Sequence, residues 1–141
     1  MIIKFLRLHK EARIPKYIHS GDAGMDLYSL EDKILKSGER YNFSLGIAIE
    51  IPQNYVGLIW ERSGLATREG VISLGGVIDS GYRGEIIVAL WNLSRKTVKI
   101  SQGERIAQLL IQPVIRAKIK QVKNLSGTKR GANGFGSTGR K

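Results

Sequence analysis

At 141 residues with 42% apolar side chains, the chain is long enough to bury one core, since chains of about 150 residues hide roughly two thirds of their unfolded surface. It has no cysteine, which excludes disulfides, a thiol nucleophile and thiolate metal sites, and with only two histidines, His9 and His19, a zinc centre would need several carboxylates. The net charge is +11, and residues 116–141 carry eight basic and no acidic side chains, which leaves +3 for the rest and marks the tail as a region that attracts polyanions without saying which.

Residues 1–10 alternate apolar with basic positions and contain no long hydrophobic run. The expectation is a cytoplasmic protein without signal peptide or membrane span. Further along, β-branched and aromatic runs at 2–8, 41–51, 55–60, 85–92, 97–100, 105–113 and 117–123 predict short strands. Turn chemistry separates them at Ser37-Gly38, Gln53-Asn54, Ser80-Gly81 and Gln102-Gly103. Only 63–69 has the composition of a short helix, and neither a heptad nor a repeat is present. The pattern predicts an all-β sandwich or jelly roll over residues 1–125. Residues 126–141 contain five Gly, four Ser or Thr, four Lys or Arg and one aromatic, Phe135, and so cannot bury a core of their own. They are expected to form a flexible arm.

Five segments carry candidate chemistry. In the arm, Gly134-Phe135-Gly136-Ser137-Thr138-Gly139 satisfies G-x-G-x-x-G, but a dinucleotide fingerprint needs a helix after it and only two residues follow. What remains is glycine backbone able to converge on an anion, the hydroxyls of Ser137 and Thr138, and the charge of Arg130. Phe135 can stack on a nucleobase, a contact of about 1–3 kcal/mol. Arg62-Ser63-Gly64, at the entrance of the helical segment, suits a phosphate, although Ser63 also suits a simple helix cap. Residues 75–88 read as a hairpin turning at 79–81, in which Asp79 could accept a proton from water as a general base and Tyr82 could pack on a flat face. Asp26, beside Gly24, reads as a turn or hydrogen-bonding acid, and Gln108 is the odd polar residue of an apolar strand. His9 and His19 are assigned to surface or scaffold.

Taken together, AGMDL at 23–27, RSGLA at 62–66, GVIDSGYRG at 76–84, GERIAQL at 103–109 and RGANGFGSTG at 130–139 resemble, in order and spacing, the five segments of the trimeric deoxyuridine triphosphatases. The resemblance implies a jelly-roll homotrimer with active sites at subunit interfaces, each closed by the C-terminal arm of a neighbouring chain. It implies hydrolysis of dUTP to dUMP and pyrophosphate, with Mg²⁺ held mainly by the triphosphate and no direct protein ligand, Asp26 acting on it through water. Asp79 matches the general base. Gly76, Val77, Ile78, Tyr82, Ile87 and Phe135 match base and sugar contacts. Arg62, Ser63, Gly64, Gln108, Arg130, Gly136, Ser137 and Thr138 match phosphate contacts. The implied partners are dUTP and two further copies of the chain, with neither an obligate nucleic acid nor a membrane. Two positions depart from the family pattern: Glu61 stands where proline is common and brings a negative charge beside Arg62, and Gly81 stands where an acid is usual. Competing readings are a relative that deaminates dCTP and a nucleic-acid-binding module using the basic tail, whose affinity would fall steeply with salt.

Overall fold

The structure is a computed structural model that describes residues 1–134. Ten strands are present among them: β1 (Lys4–Arg7), β2 (Met25–Tyr28), β3 (Lys33–Leu35), β4 (Arg40–Glu50), β5 (Tyr55–Glu61), β6 (Val71–Leu74), β7 (Val77–Asp79), β8 (Glu85–Asn92), β9 (Val98–Ile100) and β10 (Arg105–Pro113). One sheet runs β1-β4-β8-β6, a second β2-β10-β5-β7, and β3 pairs with β9 alone. Every pairing is antiparallel. The predicted all-β jelly-roll class is the observed one.

The period of two explains why these segments are strands. Phe43, Leu45, Ile47 and Ile49 of β4 point inward and are nearly inaccessible, as are Ile86, Val88 and Leu90 of β8. They join Leu27, Ile59, Ile78 and Leu109 from the second sheet and Leu35 and Ile100 from the small one in a single buried cluster. The core is therefore shared by all three sheets, as in a sandwich. Asn92 is the polar exception: wholly buried, it donates through Nδ2 to the carbonyls of Leu35, Lys36 and Lys96, and accepts at Oδ1 from the backbone and hydroxyl of Ser94. The expected turns hold, with Gly38, Asn54 and Gly103 all at positive φ.

Two expectations fail. Residues 75–88 are not a hairpin, because β7 pairs with β5 and β8 pairs with β4 and β6, so the turn after Asp79 carries the chain from one sheet to the other. A local turn signal cannot distinguish these arrangements, since both begin with the same bend. Residues 117–123 form no strand: beyond Pro113 no edge of the described chain pairs with them, and Ile115 and Ile119 are almost fully exposed. The helical segment is a single wide turn, Leu65–Glu69, ended by Gly70 in the left-handed conformation. No described helix is long and apolar enough to cross a membrane.

Candidate active site

Adjacent strands β2, β10 and β5 bring the first polar cluster together. Asp26 stands opposite Gln108, which stands opposite Trp60, so the side chains at the β5 end reach the same sheet edge. The carboxylate of Asp26, in a residue only 8% exposed, forms an ion pair with Arg62 Nε at 3.3 Å and accepts a hydrogen bond from Arg105 Nη1 at 3.2 Å. Arg62 also donates to the Arg105 carbonyl at 3.3 Å, and Gln108 Nε2 donates to the Glu61 carbonyl at 3.1 Å. Two guanidiniums held by one carboxylate keep a net positive charge, and their fork geometry suits phosphate oxygens. A cavity of about 280 Å³ opens on this cluster, lined among others by His19, Asp22, Asp26, Arg62, Ser63 and Gln108. A larger groove of about 720 Å³ continues from it past Arg62, Ser63, Gly64 and Arg105, adding Arg13 and Arg68.

Several sequence readings resolve here. No side chain caps the helical turn, so the capping role considered for Ser63 is not made; its carbonyl instead accepts from the Thr67 hydroxyl. The charge of Glu61 does not pair with Arg62. Its carboxylate accepts from the Ser73 hydroxyl at 3.1 Å on neighbouring β6, while Arg62 turns to Asp26. His19, assigned to the scaffold, lines the smaller cavity, and its backbone N–H donates to Asp22. Arg105 was not singled out, because its partner lies 79 residues away and only strand pairing joins them.

The second cluster surrounds the crossover turn. A cavity of about 230 Å³ is lined by Gly76, Val77, Ile78, Asp79, Tyr82 and Ile87, together with Ile59, Glu85 and Ile86. Gly76 is at φ 98°, and a Cβ there would lie 2.6 Å from the Ile59 carbonyl oxygen, so only glycine lets the backbone pass this close to β5. Asp79 is exposed at the end of β7, and its carboxylate has no hydrogen-bond or ion-pair partner among the described residues. An exposed, unengaged carboxylate beside an apolar slot can receive a proton from water bound there.

The two clusters line separate cavities with no residue in common. Within one chain, then, Asp79 is together with Gly76, Val77, Ile78, Tyr82 and Ile87, and Arg62, Ser63 and Gln108 are together, but neither set meets the other in a shared cavity. Arg130 belongs to neither. Its Nε donates to the Asn133 carbonyl at 2.9 Å within a turn of the tail. Phe135, Gly136, Ser137 and Thr138 lie outside the described residues.

Among the described residues no group of three or more metal-binding side chains forms a cage. The cavity of about 280 Å³ does offer two carboxylates, Asp22 and Asp26, beside basic groups suited to phosphate. Two carboxylates on a polar wall suit a hydrated Mg²⁺.

The family model described as dUTPase matches residues 10–139. A deoxyuridine 5′-triphosphate nucleotidohydrolase of Clostridium tetani (strain Massachusetts / E88) is 46% identical over 140 residues, covering 98% of this chain and 97% of that protein. Among solved structures, a dUTPase of Staphylococcus bacteriophage 80alpha with dUPNHPP superposes with a TM-score of 0.92 at 31% identity, covering 98% of both chains. A dUTPase of phage phi11 of S. aureus, described as revealing the coordination of a structural Mg(II) ion, gives a TM-score of 0.84 at 27% identity, covering 90% of this chain and 100% of the other.

Proposed function

This chain belongs to the dUTPase family, and from that membership we propose that it hydrolyses dUTP to dUMP and pyrophosphate at a site assembled between copies of the chain. The observation that carries the proposal is the division of labour just described: one cavity combines an unengaged carboxylate with an apolar slot, the other combines basic and hydroxyl groups, and a nucleoside triphosphate needs both.

In this reading uracil and deoxyribose occupy the slot at Gly76, Val77, Ile78, Tyr82 and Ile87, where backbone polar groups pair with the uracil edge. Cytosine presents the reversed donor and acceptor pattern and leaves buried groups unpaired, which is a strong basis for rejection. The triphosphate lies along Arg62, Ser63, Gly64 and Gln108 of another copy. Asp79 takes a proton from water as the water oxygen bonds to the α-phosphorus. The bond from that phosphorus to the bridging oxygen breaks, and pyrophosphate leaves. Mg²⁺, when bound, would neutralise the triphosphate and be steadied by Asp26 through water. The rest of the catalysis is positioning and charge complementarity. Residues 1–125 act as the catalytic domain and 126–141 as an arm, with Phe135 over the base and Arg130, Gly136, Ser137 and Thr138 on the terminal phosphate. A trimer gives the exposed Ile115, Ile119 and Leu125 a surface to cover, and a nucleotide substrate fits a cytoplasmic setting.

The test is to incubate the protein and Mg²⁺ separately with dUTP, dCTP, dTTP and UTP and measure pyrophosphate. Release from dUTP far above the other three is expected. Ammonia from dCTP, or no hydrolysis of any nucleotide, would contradict the reading.

A further inference from the structure

We infer that Glu85 and Gly84 are positioning residues for sugar selection, fixing the Tyr82 ring where a ribose 2′-hydroxyl would strike it. The inference deepens the dUTP reading and rests on it.

Tyr82 is 45% exposed on a short connection, where an aromatic ring ordinarily has a choice of rotamers. Here its position is fixed from two directions. The phenol hydroxyl donates to the backbone carbonyl of Glu85 at 2.8 Å. The ring also lies across Gly84 so closely that a Cβ there would sit 2.6 Å from Tyr82 Cζ and closer still to its hydroxyl. Any side chain at 84 must displace the ring.

The connection is itself braced. Tyr82 N–H donates to the Asp79 carbonyl at 3.0 Å, and Arg83 Nη1 donates to the carbonyls of Ser80 and Tyr82, both at 2.7 Å. Gly81 thus leaves no acid to close this turn, and Arg83 closes it. Glu85 then ties the connection to the first sheet: its Oε1 accepts from the Gly46 N–H at 2.7 Å, at the bulge where the pairing of β4 and β8 skips between Ser44 and Ala48. One residue therefore holds Tyr82 through its carbonyl and a framework strand through its side chain. Both Tyr82 and Glu85 line the cavity that contains Asp79. The side-chain role requires an acceptor oxygen and no negative charge, so glutamine can replace glutamate.

The experiment measures kcat and KM on dUTP and on UTP for Glu85→Ala, Glu85→Gln, Gly84→Ala and Tyr82→Phe, with thermal midpoints alongside. The ratio of kcat/KM for dUTP to that for UTP should fall at least about tenfold in Glu85→Ala and Gly84→Ala, mainly because UTP gains, and Glu85→Gln should keep the parental ratio. A purely structural role would lower the midpoint and slow both nucleotides alike, leaving the ratio unmoved. Should Glu85→Ala fail to fold, Tyr82→Phe keeps the ring and removes only the tether, and its ratio should fall at least about threefold. An unmoved ratio in a folded Glu85→Ala, or in Tyr82→Phe if the former does not fold, overturns the inference, as does a Glu85→Gln variant that behaves like Glu85→Ala. A parent inert on dUTP overturns the underlying reading as well, whereas a parent that discriminates no better than its folded Glu85→Ala variant overturns the inference alone.

Discussion

Asp79 and Asp26 are both aspartates at strand positions lining cavities, yet their surroundings differ. Asp26 is buried between two guanidiniums and acts as a fixed counter-charge; Asp79 is exposed and unengaged. Only the second has both carboxylate oxygens unengaged among the described residues. Asp79→Asn should therefore keep nucleotide binding by calorimetry while turnover drops at least about 100-fold, the usual scale for loss of a general base. Near-normal turnover would remove Asp79 from the chemistry. Asp79, Tyr82, Arg62 and Gln108 were legible because each sits inside a contiguous string of distinctive residues. Arg105, although it lies in the same 103–109 string as Gln108, and Glu85 were not, since what makes them matter is a partner on another strand: Asp26 for one, Gly46 for the other.

Elements show the same division between local and distant information. Glu85–Asn92 and Arg105–Pro113 are predicted to the residue because each is a β-branched and apolar run preceded by turn residues. The three-residue strand β3 carries one β-branched residue, against three over 97–100 where β9 is expected, and the sheet switch after Asp79 depends on which edge β7 finds. Asn92, at the end of β8, satisfies five neighbouring groups. Asn92→Ala should destabilise the fold by about 2–4 kcal/mol in denaturant unfolding, since it strands several buried polar groups. On the other side of that end, Lys33 Nζ lies 2.8 Å from Glu39 and ties β3 to the turn before β4. The hydrogen bond from Lys33, then that from the Lys36 N–H, holds the Glu39 carboxyl below its ordinary pKa; the bond to Glu39 holds the Lys33 ammonium above its own. Their contribution is thus complete between the unfolded values of about 4.3 and 10.4, fades as pH falls through the lowered Glu39 pKa, and fades again as pH rises through the raised Lys33 pKa. Glu39→Gln should melt below the parent at neutral pH, with the gap closing in acid. A gap independent of pH would assign the effect to something other than this pair.

At the scale of the whole molecule, one chain presents two cavities that share no lining residue and a basic tail that has no strand partner among the described residues. These facts become coherent if copies exchange surfaces. Removing residues 127–141 should sharply reduce activity while leaving the thermal midpoint near the parent's, because the buried cluster of the described residues draws nothing from 127–134; unchanged activity would refute the arm's role. Subunit complementation tests the shared site most directly. Asp79→Asn and Arg62→Ala, each nearly inactive alone, are unfolded together and refolded as mixed assemblies. If Asp79 and Arg62 of one site come from different copies, some sites regain both native residues, and activity should return to about a quarter of the parent's. If mixing restores nothing, although mass spectrometry finds mixed assemblies, each site uses both residues of a single chain and the account fails.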